Sequence, residues 1–202
     1  VNVVGSTIAN TADHTLYTWA GPEIAVATTK GYTTQLALLY LFALYAAKKT
    51  EKIDGELYSE LLKSLNCLPK KVQEALDMSS SIPELAKKYY KSNSMFFLGR
   101  NTDYAVALES ALKMKEISYI HAESYAAGEL KHGTIALIEE HTPVIALCCN
   151  ESITEKTMSN IVEVKARGAE VLAVTFKDNE KIVSYFIFSI FSYFRIIFII
   201  SK

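Results

Sequence analysis

The chain has 202 residues, half of them apolar, with 21 Lys and Arg against 22 Asp and Glu, which suits one large or two small packed domains and excludes a disordered tail. The lysines are scattered and no basic run is interleaved with aromatics, so nucleic acid is excluded as the expected partner. Cys67, Cys148 and Cys149 are odd in number and two are adjacent; a disulfide framework is not expected, and a reducing cytoplasm is.

Residues 1–4 read as a short strand ending at Gly5-Ser6, and residues 13–18 as another before a Gly21-Pro22 turn, both expected to meet little water. Signal-peptide anatomy is lacking, and a strand at residue 1 makes the chain read as part of something longer. From Thr28 to Lys48 nearly every face is apolar, with Leu36, Leu38, Leu39, Leu41, Phe42 and Leu44 close together; a helix apolar all round is expected to be buried. Residues 54–78 and 83–91 have the mixed faces of amphipathic helices, broken near Pro69 and again at Ser79-Ser80-Ser81. They read as a connection.

A second unit then starts. Residues 94–98 form an apolar strand closed by Gly99, followed by a helix from Asp103 to about Ile120. Residues 143–148 are a second apolar run, 152–167 a charged amphipathic helix, and 170–176 a third run after Gly168. Apolar strands alternating with helices imply an α/β fold, a three-layer parallel sheet with helices on both faces. Ligands in such sheets bind beyond the carboxyl ends of the strands, here the turns after Leu98 and Cys148. Residues 182–200 are nearly continuous Ile, Phe, Tyr, Val and Ser around Arg195. That tail is long enough for a membrane span; the other readings are a buried strand and helix, or sequence read past a junction of an AT-rich gene.

Chemistry concentrates between residues 112 and 133. On the predicted helix, Glu109, Lys113 and Glu116 share a face at i, i+4, i+7 spacing. An ordinary solvated ion pair is the plain reading. Ala107, Met114 and Ile117 lie opposite, however, so little of the helix is left for solvent, and Glu116 is expected to be shielded in the way that suits a proton-transferring carboxylate. His132 lies in a glycine-flanked segment, either as a reacting side chain or as a turn histidine bonded to backbone. Glu129 and His132 have the E-x-x-H spacing of carboxylate-bridged metal sites, but such sites need a second copy and further glutamates, so no metal is expected. His14, His121 and His141 have no neighbours that single them out. No phosphate-binding glycine motif occurs, which disfavours nucleotides. Small residues and hydroxyls at residues 25–30 precede the first long helix, as an anion- or hydroxyl-binding turn or as a plain Thr N-cap.

The segments Ala20-Gly21-Pro22-Glu23-Ile24-Ala25-Val26-Ala27-Thr28-Thr29-Lys30, Thr33-Thr34-Gln35-Leu36, Phe97-Leu98-Gly99-Arg100 and the block from Ala111 to Gly133 closely resemble the isomerase half of the glutamine:fructose-6-phosphate aminotransferases, or glucosamine-6-phosphate synthases. That half is built from two sugar isomerase (SIS) domains. The resemblance runs from Val1 to about Thr175. It implies that residues 1–48 are the C-terminal part of a first SIS domain, 49–92 a helical connection, 93–181 most of a second SIS domain, and 182–202 a divergent tail.

The resemblance further implies fructose 6-phosphate as substrate and glucosamine 6-phosphate as product, in amino-sugar synthesis. Glu116 would shuttle a proton between C1 and C2, with Lys113 beside it. His132 would open the sugar ring from the neighbouring subunit of a homodimer, and Val26, Ala27 and Thr28 would contact substrate. No dissociable cofactor is implied, since ammonia replaces the carbonyl oxygen by imine chemistry. The family's glutaminase domain, Ser/Thr-rich phosphate loop and tail lysine have no counterpart here, so this segment alone is expected to be inactive. Thr134 stands where the family has proline, a change expected to loosen the turn. The alternative is a non-catalytic SIS module that senses a phosphosugar; retention of Glu116, Lys113 and His132 together favours the enzyme.

Overall fold

A computed structural model describes residues 1–176, Asn179 and 189–191, and the chain divides into two compact units, Val1–Leu68 and Pro69–Lys202. In the first unit neither expected strand forms. Residues 1–5 make a turn, and Ser6, read as a strand end, instead caps helix α1 (Thr7–Thr11), its Oγ accepting from the Ala9 N–H at 3.3 Å. Residues 13–18 are irregular. Val1 joins them through its backbone, donating to Leu16 O at 2.9 Å and accepting from Thr18 N at 3.0 Å, and Asn2 Oδ1 accepts from the Thr18 hydroxyl at 3.1 Å; two backbone bonds are too few to make a ladder. Val3, Val4, Leu16 and Trp19 are more than half exposed, contrary to the expectation of burial.

Helix α2 (Lys30–Lys49) forms close to its expected bounds, and α3 (Gly55–Asn66) begins at an Asp54 cap whose carboxylate accepts from the Leu57 N–H at 2.8 Å. The two helices pack together, burying Leu44, Leu61 and Leu65, with the Lys48 ammonium 5.3 Å over the Tyr58 ring. The expectation that α2 is buried all round is not met, for Leu39, Phe42 and Tyr45 are each more than half exposed. Packing on α3 covers only one face of a helix whose apolar residues point in every direction.

In the second unit, Pro69 is the second residue of α4 (Leu68–Asp77), where a missing N–H costs no helical bond. The serine run forms a 3₁₀ turn at Met78–Ser81 before α5 (Ile82–Tyr89). The strands are β1 (Ser94–Gly99), β2 (His121–Ala126), β3 (Pro143–Cys148), β4 (Glu170–Thr175) and β5 (Ser189–Phe191), all parallel in the order β2-β1-β3-β4-β5. Helix α6 (Thr102–Ser118) joins β1 to β2, and α7 (Thr154–Ala166) joins β3 to β4.

Strand alternation splits the core in two. Met95, Phe97, Leu147 and Leu172 pack with Tyr89 of α5 and with Ala107 and Ala111 of α6. Phe96, Leu98 and Val144 pack with Val164 of α7, while Ala146, Cys148 and Ala173 surround its Ile161. Helices therefore cover both faces, as the expected three-layer sheet requires. Close seating of α6 on β1 depends on Gly99, where a Cβ would lie 2.5 Å from the backbone of Asp103. Strand β2 was not anticipated. Among the described residues it stands at the sheet edge, paired only with β1, and its sequence lacks the large aliphatics by which central strands are recognised.

Apart from β5, beside β4, the tail on which the membrane-span, buried-element and junction readings rest lies outside the described residues. No described helix is long and apolar enough to cross a membrane.

Candidate functional site

Lys113 and Glu116 meet as their spacing predicts, the ammonium 2.5 Å from Glu116 Oε2 and 3.5 Å from Glu109 Oε1. One cation thus faces two carboxylates across two turns of α6. The hydrogen bond to Glu116 raises the proton affinity of Lys113 above the usual lysine range, which keeps it an ammonium. Shielding is incomplete: the Glu116 side chain is 32% exposed and that of Lys113 20%. The reason is the helix's orientation. Asp103, Ala107 and Ala111 line the buried face and Met114 packs against it, which leaves Leu108 and Leu112 in solvent and Ile117 there too, contrary to expectation.

His132 closes a 3₁₀ turn (Leu130–His132), its N–H bonded to Glu129 O at 3.0 Å and its ring exposed. The turn follows β2 at the carboxyl end of the sheet, whereas α6 starts at that end and runs back to the amino end, where β2 begins. Glu116 is fourteen residues along α6, about 20 Å from its start at the usual helical rise. One chain therefore holds the imidazole and the carboxylate at opposite ends of its sheet.

The third predicted group lies in the first unit. Ala27 is buried at 5% exposure and Val26 is exposed at 98%, with Thr28 also exposed. Thr29 takes the N-cap position of α2 without a side-chain cap bond; the Gly31 N–H donates instead to Glu23 Oε2 at 3.4 Å. Glu23 is a negative group at the positive end of that helix.

Several chemical groups escaped the sequence reading. The turns after β1 and β3, expected to hold ligand at the switch point, are bridged by Asp103, whose Oδ2 accepts from the N–H of Cys149 at 2.9 Å and of Asn150 at 3.2 Å. Burial pushes this carboxyl up to about 6, the two backbone bonds only partly opposing it. His121 has neighbours after all. On alternate residues of β2, its Nε2 lies 3.3 Å from Glu123 Oε1 and the Tyr125 hydroxyl donates to Glu123, a bond that pushes the phenol up to about 12. His141 Nδ1 lies 3.2 Å from Glu170 Oε1. Asp103 and His141 are distinguished by contacts with residues far away in the chain, whereas the His121, Glu123 and Tyr125 group follows i, i+2 spacing that shows only once residues 121–126 are known to be a strand.

The second unit is thus a three-layer α/β domain with a parallel sheet, a lysine–carboxylate pair on one helix and a histidine on a glycine-flanked turn. The SIS domain family model matches residues 1–45 and 88–192. The chain belongs to the SIS domain family. It is 53% identical over 176 residues to the glutamine–fructose-6-phosphate aminotransferase [isomerizing] of Clostridium tetani, covering 87% of this chain and 29% of that protein. With the enzyme of the same name from Caldanaerobacter subterraneus subsp. tengcongensis it shares 53% identity over 178 residues, 88% of this chain and 29% of that one. Among solved structures, the C-terminal domain of glucosamine-fructose-6-phosphate aminotransferase from Francisella tularensis superposes with a TM-score of 0.87 at 38% identity, covering 89% of this chain and 50% of that domain. The chain thus spans under a third of the length of the curated relatives it matches.

Proposed function

We propose that this chain is the isomerising segment of a glutamine:fructose-6-phosphate aminotransferase, which forms glucosamine 6-phosphate from fructose 6-phosphate. In this reading residues 1–48 close a first SIS domain, 49–92 connect, and 93–181 are most of a second. Glu116 carries the proton between C1 and C2 of the opened sugar, and the Lys113 ammonium orients that carboxylate and offsets negative charge that develops on the substrate. Val26, Ala27 and Thr28 contact the sugar. Ammonia replaces the carbonyl oxygen through an imine, and no dissociable cofactor takes part. Cys67 and Cys148, neither of them in a disulfide among the described residues, suit a cytoplasmic protein.

The observation that carries this reading is the Lys113–Glu116 pair on α6 in a chain 53% identical to an aminotransferase of that name, while Glu116 and His132 stand at opposite ends of one sheet. Both can serve one sugar only if His132 comes from a second copy, which makes a homodimer part of the proposal. The test is a chimera in which this chain replaces the matching segment of the Clostridium tetani relative. It is expected to form glucosamine 6-phosphate, and Glu116→Gln to lower kcat by about 10²- to 10⁴-fold. Unimpaired turnover by E116Q would rule out the proton shuttle. Co-assembling E116Q with His132→Ala chimeras should restore about a quarter of wild-type activity, since half of randomly paired dimers are mixed and each mixed dimer has one intact site. No restoration would overturn the shared site.

A further inference from the structure

Arg100 and Gly128 have no part in the proton transfers above, yet they meet beside the turn that presents His132. Strand β1 ends at Gly99, whose carbonyl accepts from the Ala127 N–H at 2.9 Å. The chain then passes Gly128 and Glu129 before Leu130 anchors it in the core at 1% exposure. The Arg100 guanidinium fills the space at Gly128. A methyl placed there would lie 2.6 Å from Nη2, 3.1 Å from Cζ and 3.3 Å from Nη1.

The other side of the guanidinium is fixed by α7. Arg100 Nε donates to Asn160 Oδ1 at 3.1 Å, and Asn160 is only 3% exposed. The Asn160 amide in turn donates to Glu163 Oε2 at 3.5 Å, and Glu163 Oε1 lies 4.0 Å from the ammonium of Lys131, the residue before His132. The path leaves β1, crosses α7 and returns to the turn. A planar guanidinium can bond through Nε and still lay its outer nitrogens against a backbone, which an ammonium cannot do.

We propose that Arg100 is a positioning residue: wedged between Gly128 and Asn160, it braces residues 127–133 and so sets where His132 is presented to the sugar. This deepens the function proposed above and rests on it only for the role of His132. Gly128 is the matching half of the brace, since any side chain there displaces the guanidinium.

Amide hydrogen exchange on the whole chain tests the brace without any assay of activity. Arg100→Ala and Gly128→Ala are each expected to speed exchange at Ala127, Glu129 and His132 at least tenfold, leaving Ile145 in β3 unchanged. Arg100→Lys should behave like R100A. The R100A/G128A double variant should exchange no faster than R100A alone, because both changes remove the same guanidinium. Unaltered exchange in R100A, or additive effects in the double variant, would overturn the proposal. In the chimera, G128A and R100K should lower kcat about tenfold with KM for fructose 6-phosphate within twofold, and loosened exchange with full kcat would equally refute a positioning role. A wild-type chimera that turns over no sugar would sink the proposed function and leave the exchange result to decide the brace.

Discussion

At the residue scale the turn after His132 is where one side chain has a calculable effect. Thr134 opens the next 3₁₀ turn (Thr134–Leu137), whose hydrogen bond runs from Ala136 N to Gly133 O. That bond does not use the Thr134 N–H. Proline is favoured at a first helical position, and Gly133 has no Cβ for its ring to strike. Thr134→Pro gives up the 3.3 Å bond from Thr134 Oγ1 to Leu130 O but restricts the unfolded chain, so it should stabilise by about 0.5 kcal/mol, or 1–2 °C in a thermal melt. At this scale the Lys113–Glu116 contact was legible because both ends lie on one helix. Arg100, Gly128 and Asn160 were not, since they are spread over sixty residues and only the fold brings them together.

At the element scale α6 is secured at its first turn by Asp103, which ties it to the loop after β3. Asp103→Ala would strand two backbone N–H groups at about 1–3 kcal/mol each, while Asp103→Asn keeps an acceptor and the shape. The pH dependence separates the two effects. Burial lifts the folded-state carboxyl from 3.8 to about 6, so the folded protein binds that proton more tightly than the unfolded chain does. Its contribution is therefore greatest below about 4 and is lost as pH rises to about 6, a fall of about 3 kcal/mol. Urea unfolding at pH 4, 5, 6 and 7 should show this group's fall in the wild type and its disappearance in D103N. The strands β1, β3 and β4 and both crossover helices were legible because two-sided burial writes continuous apolar runs. Edge position hid β2, and in the first unit the segments 1–4 and 13–18 imitated strands but form no ladder.

At the scale of the whole second unit, an all-parallel sheet has two chemically different ends. The carboxyl end carries Arg100, Asp103 and the His132 turn, and the amino end carries a separate charged staple. There the Glu170 carboxylate at the start of β4 receives Lys88 Nζ at 2.5 Å, the Tyr89 hydroxyl at 2.9 Å and His141 Nδ1 at 3.2 Å, joining the end of α5 to the entries of β3 and β4. Chiefly the Lys88 bond holds the Glu170 carboxyl below the usual carboxylate range. A depressed folded-state value means a contribution that is present above the ordinary 4.5 and lost as pH falls through the folded value. Glu170→Gln removes the charge and keeps the shape. Because the side chain is 29% exposed, solvent screening limits the loss at pH 7 to about 1 kcal/mol. Melts of the wild type and E170Q should therefore differ most at neutral pH and converge in acid, and a gap of equal size below pH 4 would show that packing, not the ionised carboxylate, holds α5 to the sheet.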